Sequence, residues 1–116
     1  MGKTFSNFAE VRFLDRDEVI RDLQQAVGAA KAAHPEILRV FLFGSFVQGN
    51  WTADSDADLV VVVRRSFPDL RSRSPYQIFT RAIPTDSLVY SEREFEDLSK
   101  DPRSFLAQNL ITAVEL

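Results

Sequence analysis

The chain has 116 residues, enough for one domain with a buried core, and 45% of them are hydrophobic, as is usual for a globular protein. It contains no cysteine and one histidine, which excludes disulfides, a thiolate zinc site and a site built from several histidines. Any metal must therefore be held mainly by carboxylates, which favours magnesium or manganese over zinc. The net charge of −3 gives no overall attraction to nucleic acid, so we expect no direct nucleic-acid binding.

The hydropathy of the chain gives no sign of a membrane protein. No apolar run approaches the roughly 20 residues of a membrane span, and the first residues lack the apolar core of a signal peptide. We therefore expect a cytoplasmic protein without a membrane partner. Residues 1–14 have an ambiguous pattern and are treated as an N-terminal extension of unassigned role.

The first predicted element is a helix over residues 15–34. Asp15 and Glu18 occupy the positions of a capping box, and Pro35 ends the helix. Its apolar residues recur at helical spacing, which predicts one face that covers a sheet. These residues are Val19, Ile20, Leu23, Ala26, Val27 and Ala30.

Two apolar runs follow, over residues 37–43 and 59–63. Both lack the alternation of a half-exposed strand, so we expect central strands that are buried on both faces. Arg39 interrupts the first run and needs a partner if it is buried.

The second half of the chain begins with a polar, basic loop over residues 66–74. A helix is predicted over residues 75–82, with Ile78 and Phe79 on its inner face. A third strand is predicted over residues 86–90, where alternation places Asp86 and Leu88 on the same face.

Two short helices are predicted after the third strand. Ser91 and Glu94 form a capping box that opens the first of them. Asp101 and Pro102 are suited to the N-cap and first position of the second. The end of the chain, residues 111–116, is either a short strand or a fraying tail.

The stretch over residues 42–63 contains the residues best suited to chemistry. Asp56 and Asp58 stand two apart at the start of a strand, so their side chains share a face. Two carboxylates about 4 Å apart repel by roughly 4 kcal/mol at an effective dielectric of 20, so they need a cation, a proton or water. Gly44 permits close approach of a ligand, and a turn that begins at Ser45 presents N–H groups to a phosphate. Asp86 either joins this site or simply forms a turn.

These residues resemble the signature of the minimal nucleotidyltransferases of the DNA polymerase beta superfamily. The signature is GS at 44–45, ten further residues, and DAD at 56–58. The glycine at 49 and the segment TDSLVYSEREFEDL at 85–98 extend the likeness to about residues 15–112. The resemblance implies one nucleotidyltransferase domain over residues 1–116. Its fold class would be α/β (α+β), with a small mixed sheet of three to five strands covered by helices.

The resemblance also implies a role for each matching residue. Gly44 and Ser45 would bind the β- and γ-phosphates of ATP. Asp56 and Asp58 would bind two magnesium ions, and Asp86 would complete the metal site and help to deprotonate the attacking hydroxyl. Two metals can clamp the attacking and leaving oxygens at the α-phosphate while pyrophosphate leaves.

One departure from the family pattern concerns positive charge beside the phosphates. Many members have arginine where this chain has Phe46 or Gln48. Downstream arginines either replace that charge or form a solvated basic loop. They are Arg64, Arg65, Arg71 and Arg73.

The chain is short after the third strand, so we expect another chain to supply the second wall of the cleft. Minimal nucleotidyltransferases of this kind resemble antitoxins paired with a helical HEPN-domain toxin. The resemblance implies transfer of AMP from ATP to a tyrosine of that toxin. Two alternatives stay open: an antitoxin that acts by binding alone, with a vestigial site, and a small-molecule nucleotidyltransferase that acts as a homodimer.

Overall fold

The fold is built on one mixed β-sheet. The computed structural model describes residues 16–44 and 56–116, and within them it has four strands. They are β1 (Ile37–Phe43), β2 (Ala57–Val63), β3 (Thr85–Ser91) and β4 (Val114–Glu115). Their spatial order is β3-β2-β1-β4. β1 pairs antiparallel with β2 and β4, whereas β2 pairs parallel with β3. The predicted fold class, a small mixed sheet with helices, is confirmed.

Three helices and two 3-10 turns accompany the sheet in the described residues. The helices are α1 (Arg16–Ala33), α2 (Glu92–Lys100) and α3 (Phe105–Asn109), and the turns are Arg71–Tyr76 and Leu110–Thr112. None of these helices combines the length and the hydrophobicity needed to cross a lipid bilayer. The predicted cap at Asp15 and the turn that begins at Ser45 lie outside the described residues.

The helix α1 covers one face of the sheet, as its sequence pattern predicts. Val19, Leu23 and Val27 recur every four residues along α1 and are all buried. They pack in one cluster with Val40 of β1 and Val61 of β2. This stripe binds α1 to the two central strands.

The strand β2 supplies core residues to both faces of the sheet. Leu59, Val61 and Val63 pack in the cluster that contains α1, whereas Val60 and Val62 pack on the opposite face. There they join Phe95 of α2 and Leu106 of α3, among others. The prediction that β1 and β2 are central strands is therefore confirmed.

The prediction of a helix over residues 75–82 is wrong. Pro75 lies inside the 3-10 turn, and the chain becomes extended at Gln77. Ile78 is buried while Phe79 is 70% exposed, as alternation in an extended chain requires. Side chains of β3 take the backbone groups that a helix would have used. Ser87 Oγ accepts from the Ile78 N–H at 3.1 Å, and Thr85 Oγ1 donates to the Ile78 carbonyl at 2.6 Å.

The start of α3 also differs from the prediction. Ser104, rather than Asp101, is the N-cap, and its hydroxyl accepts from the Ala107 N–H at 3.0 Å. Asp101 instead accepts from the Arg103 N–H at 3.0 Å in the preceding turn. Both residue types cap helices well, so sequence alone did not choose between them.

An arginine–glutamate pair fixes the loop before β3 to the start of α2. Arg73 makes a bidentate pair with Glu94 at 2.8 and 2.9 Å and also donates to the Val89 carbonyl at 2.7 Å. Glu94 in turn accepts from the Ser91 N–H at 2.8 Å and closes the predicted capping box. These contacts lower the pKa of Glu94 to about 2, chiefly through the hydrogen bonds from Arg73.

Replacing Glu94 by Gln should destabilise the protein at neutral pH by roughly 1 kcal/mol, since the pair is partly exposed to solvent. The Glu94 pKa is depressed in the folded state, so its contribution is fully present above the ordinary value of 4.5. That contribution is lost as pH falls toward about 2. Urea unfolding between pH 7 and pH 3 should show the wild type and Glu94→Gln converging in acid. A Glu96→Gln control, changed at an exposed position of α2, should track the wild type throughout.

Truncating Leu23 to Ala should lower the free energy of unfolding by about 2–5 kcal/mol, because the side chain is fully buried between α1 and the sheet. The same truncation at Leu70, which is 82% exposed, should change it by less than about 0.5 kcal/mol. Equal effects of the two variants in urea unfolding would contradict this account of the core.

Candidate active site

The parallel register of β2 and β3 places two of the predicted site residues side by side. Asp58 of β2 is the direct partner of Asp86 of β3. Neighbouring strands lie about 4.8 Å apart, and directly paired residues project from the same face. The Ala57 N–H donates to the Pro84 carbonyl at 2.9 Å and joins the chain just before β3 to the start of β2. Asp58 is the one exposed position in β2, so the polar residue marks where the buried strand opens to solvent.

Gly44, at the end of β1, lies close to the Asp58 carboxylate. It follows β1 directly and has a φ of 87°, in the left-handed region that glycine adopts without strain. A β-carbon at this position would lie 2.6 Å from Oδ2 of Asp58. The absence of a side chain at Gly44 is therefore what allows the Asp58 carboxylate to approach the backbone at the end of β1.

The electrostatics of the site favour a cation. Desolvation against neighbouring groups raises the pKa of Asp58, and the negative charges of Asp86 and Asp56 raise it further. Asp56 is exposed and directly precedes β2. All three of the predicted carboxylates that the structure describes are thus close enough to interact, and a bound cation would relieve their repulsion.

The donor chemistry suits magnesium, which prefers carboxylate oxygens and usually keeps several waters. Within residues 16–44 and 56–116 no group of three His, Cys, Asp or Glu side chains is already arranged to hold a metal. The directly paired carboxylates are those of Asp58 and Asp86. Ser45, the remaining predicted site residue, lies outside the described part of the chain.

A cavity of about 190 Å³ adjoins the acidic pair. Its polar side is formed by Asp58 and Asp86, and its apolar side includes Leu88 and Phe105. Phe105 is 54% exposed, and its ring packs on that of Phe43 of β1 with 5.7 Å between the ring centroids. The remaining lining residues are Phe43, Leu59 and Val60.

Sequence reasoning did not assign Leu88 and Phe105 to the site. Leu88 stands two residues after Asp86 in β3, so strand alternation already places both on the same face. Strand alternation could therefore have assigned Leu88 to the site from the sequence. Phe105 reaches the cavity only through the packing of α3 on the sheet, which no local sequence pattern indicates.

The downstream arginines do not supply positive charge to this cavity. None of the four candidates lines it. Arg64 and Arg65 follow the far end of β2, about 20 Å from Asp58 at the usual rise per strand residue. Arg73 is paired with Glu94. Of the two alternatives for these arginines, replacement of the positive charge beside the phosphates therefore has no support in the described geometry.

Comparison with known proteins agrees with this architecture. A model of the nucleotidyltransferase domain family matches residues 23–109, and the chain belongs to that family. Its general function is therefore nucleotidyl transfer, for which a nucleoside triphosphate and a divalent metal are the usual requirements.

A crystal structure from Sulfolobus solfataricus, described as a candidate nucleotidyltransferase, has a similar fold. The TM-score is 0.51, with 23% sequence identity over 67% of this chain and 74% of that one. At this identity the likeness shows the fold alone. No curated protein matches the chain significantly.

Replacing Gly44 by Ala should destabilise the protein by about 2 kcal/mol, because a left-handed backbone and a contact with Asp58 are both penalised. Gly28 provides a matched control in the exposed part of α1, where a β-carbon meets nothing within 4 Å. Gly28→Ala should instead stabilise by about 0.5–1 kcal/mol. Urea unfolding of both variants checks the contrast, and a neutral Gly44→Ala would show that the approach of Asp58 to the backbone is not constrained.

Proposed function

We propose that the protein transfers AMP from ATP to a hydroxyl group in a magnesium-dependent reaction. The observation that carries the proposal is the register of β2 and β3, which pairs Asp58 with Asp86. The raised pKa of Asp58, caused by desolvation and by Asp86 and Asp56, supports a cation-binding role for the three carboxylates.

The proposed roles are those that the family resemblance implies, and the pairing of Asp58 with Asp86 supports them. Asp56 and Asp58 would hold two magnesium ions, which would supply charge stabilisation to the phosphate oxygens during an in-line displacement. Asp86 completes the site and accepts the proton of the attacking hydroxyl as its oxygen bonds to the α-phosphorus. Gly44 and Ser45 contact the β- and γ-phosphates, which leave together as pyrophosphate.

The acceptor is a tyrosine of a partner protein in this proposal. The cavity beside the acidic pair supports it, since Leu88 and Phe105 offer an apolar wall to an aromatic ring while Asp86 lies within the same lining. Both apolar side chains are about half exposed, as a surface that receives a partner's side chain requires. The sequence resemblance to minimal nucleotidyltransferases points to a HEPN-domain toxin as that partner, which would make this protein its antitoxin.

Changing Asp58 or Asp86 to Asn should reduce AMP transfer from labelled ATP to a HEPN toxin by roughly 100-fold or more, since each change removes several kcal/mol of charge stabilisation. Asp97→Asn, at an exposed position of α2, is the matched control and should keep wild-type transfer. Mass spectrometry of the toxin should find AMP on tyrosine, only in the presence of magnesium.

The same variants separate the proposed reaction from its alternatives. Their manganese affinity, followed by electron paramagnetic resonance, should fall together with transfer while their unfolding curves stay cooperative. Full labelling by Asp58→Asn would refute the catalytic assignment. If Asp58→Asn with Asp86→Asn neutralises the toxin as well as the wild type does, the protein acts by binding alone. Labelling of a small-molecule hydroxyl, with none on protein, would instead assign a small-molecule nucleotidyltransferase.

A further inference from the structure

A second cavity lies at the opposite end of β2 and β3 from the acidic pair. It has a volume of about 230 Å³ and is lined by residues that follow β2 and by residues where β3 meets α2. Three of its six lining residues are arginines: Arg64, Arg65 and Arg93. The others are Ser66, Ser91 and Glu92. Every residue of the lining is thus polar or charged.

The positive charge of this cavity is poorly neutralised. The nearest ion pair joins Arg64 to Glu92 at 3.9 Å, with the Arg64 side chain 71% exposed. Arg39 and Arg73, by contrast, each hold a carboxylate at 2.8 Å. For Arg93 the described residues provide no ion pair, and Glu92 is the one acidic residue of the lining.

The Arg65 guanidinium is held by neighbours that do not line this cavity. Its guanidinium donates to the Tyr76 hydroxyl at 3.2 Å and lies 5.2 Å from the centroid of the Phe67 ring. The Tyr76 hydroxyl itself donates to Glu36 at 2.6 Å. The positive charge of Arg65 is therefore fixed next to the cavity, while the exposed residues Arg64 and Arg93 provide the side chains that can contact an anion.

The start of α2 adds backbone donors to the same cavity. Its capping box occupies the N–H groups of Ser91 and Glu94. The N–H groups of Glu92 and Arg93 precede the first intrahelical hydrogen bond, and the positive end of the helix dipole points toward the lining. The arginines Arg64 and Arg93, together with helix N–H donors at a small polar cavity, match a phosphate group, which arginine binds through paired hydrogen bonds.

We propose that this cavity binds the phosphate groups of a small phosphorylated molecule, at a site separate from the proposed active site. The two sites stand at opposite ends of β2, about 20 Å apart by strand rise. The proposal does not depend on nucleotidyl transfer, because none of the lining residues belongs to the acidic cavity.

Pyrophosphate is the probe, added to the full chain in magnesium-free buffer at constant ionic strength and followed by amide NMR and calorimetry. We expect saturable shifts of the amides of residues 64–66 and 91–93. Arg64→Gln and Arg93→Gln should each weaken affinity about tenfold, the worth of a charge-assisted hydrogen bond. Glu92→Gln should tighten it severalfold, because the change removes the one acidic lining residue. Arg103→Gln, an exposed arginine outside this lining, is the control and should leave affinity unchanged.

Each other outcome overturns the proposal. Non-saturable binding, or equal weakening by Arg103→Gln, would reduce the effect to general charge attraction. Citrate binding as tightly as pyrophosphate would remove the phosphate assignment. A short single-stranded RNA that binds this cavity more than tenfold tighter than pyrophosphate would replace the small molecule with a nucleic acid.

Discussion

The structure depends on the parallel pairing of β2 with β3. This pairing puts the carboxylates of Asp58 and Asp86 on adjacent strands, where like charges repel. The repulsion is tolerated because the rest of β2 is buried on both faces and fixes the register. A shift of one residue would turn Asp58 toward the core under α1 and would exchange the two sets of apolar side chains that now pack on opposite faces. The apolar strand thus holds a pair of charges that its own local chemistry disfavours.

β3 is an edge strand, and the preceding segment protects it. The extended chain around Ile78 is held by Ser87 and Thr85, and Arg73 occupies the carbonyl of Val89. The same arginine holds Glu94 at the start of α2. These contacts join the loop before β3 and the helix after it to the edge strand that carries Asp86.

The sheet separates opposite charges at its two ends. The carboxylates lie where β2 and β3 begin, and the cavity with three arginines lies where both strands end. A cation is favoured at the first end and an oxyanion at the second, although the chain as a whole carries only a small net charge. Net charge alone therefore predicted little about local ligand preference.

The sequence determined the two central strands, α1, the capping box at Ser91 and the acidic residues themselves, because burial and capping leave strong periodic and positional signals. It did not determine the segment over residues 75–82, where hydrogen bonds to β3 replaced a plausible helix, nor the choice of Ser104 over Asp101 as a cap. For the candidate site, sequence supplied Gly44, Asp56, Asp58 and Asp86. Only the tertiary structure decided that Asp58 faces Asp86, that Phe105 reaches the same cavity and that Arg64 lies at the far end. Strand register and helix packing join residues distant in sequence, and no local pattern records that choice.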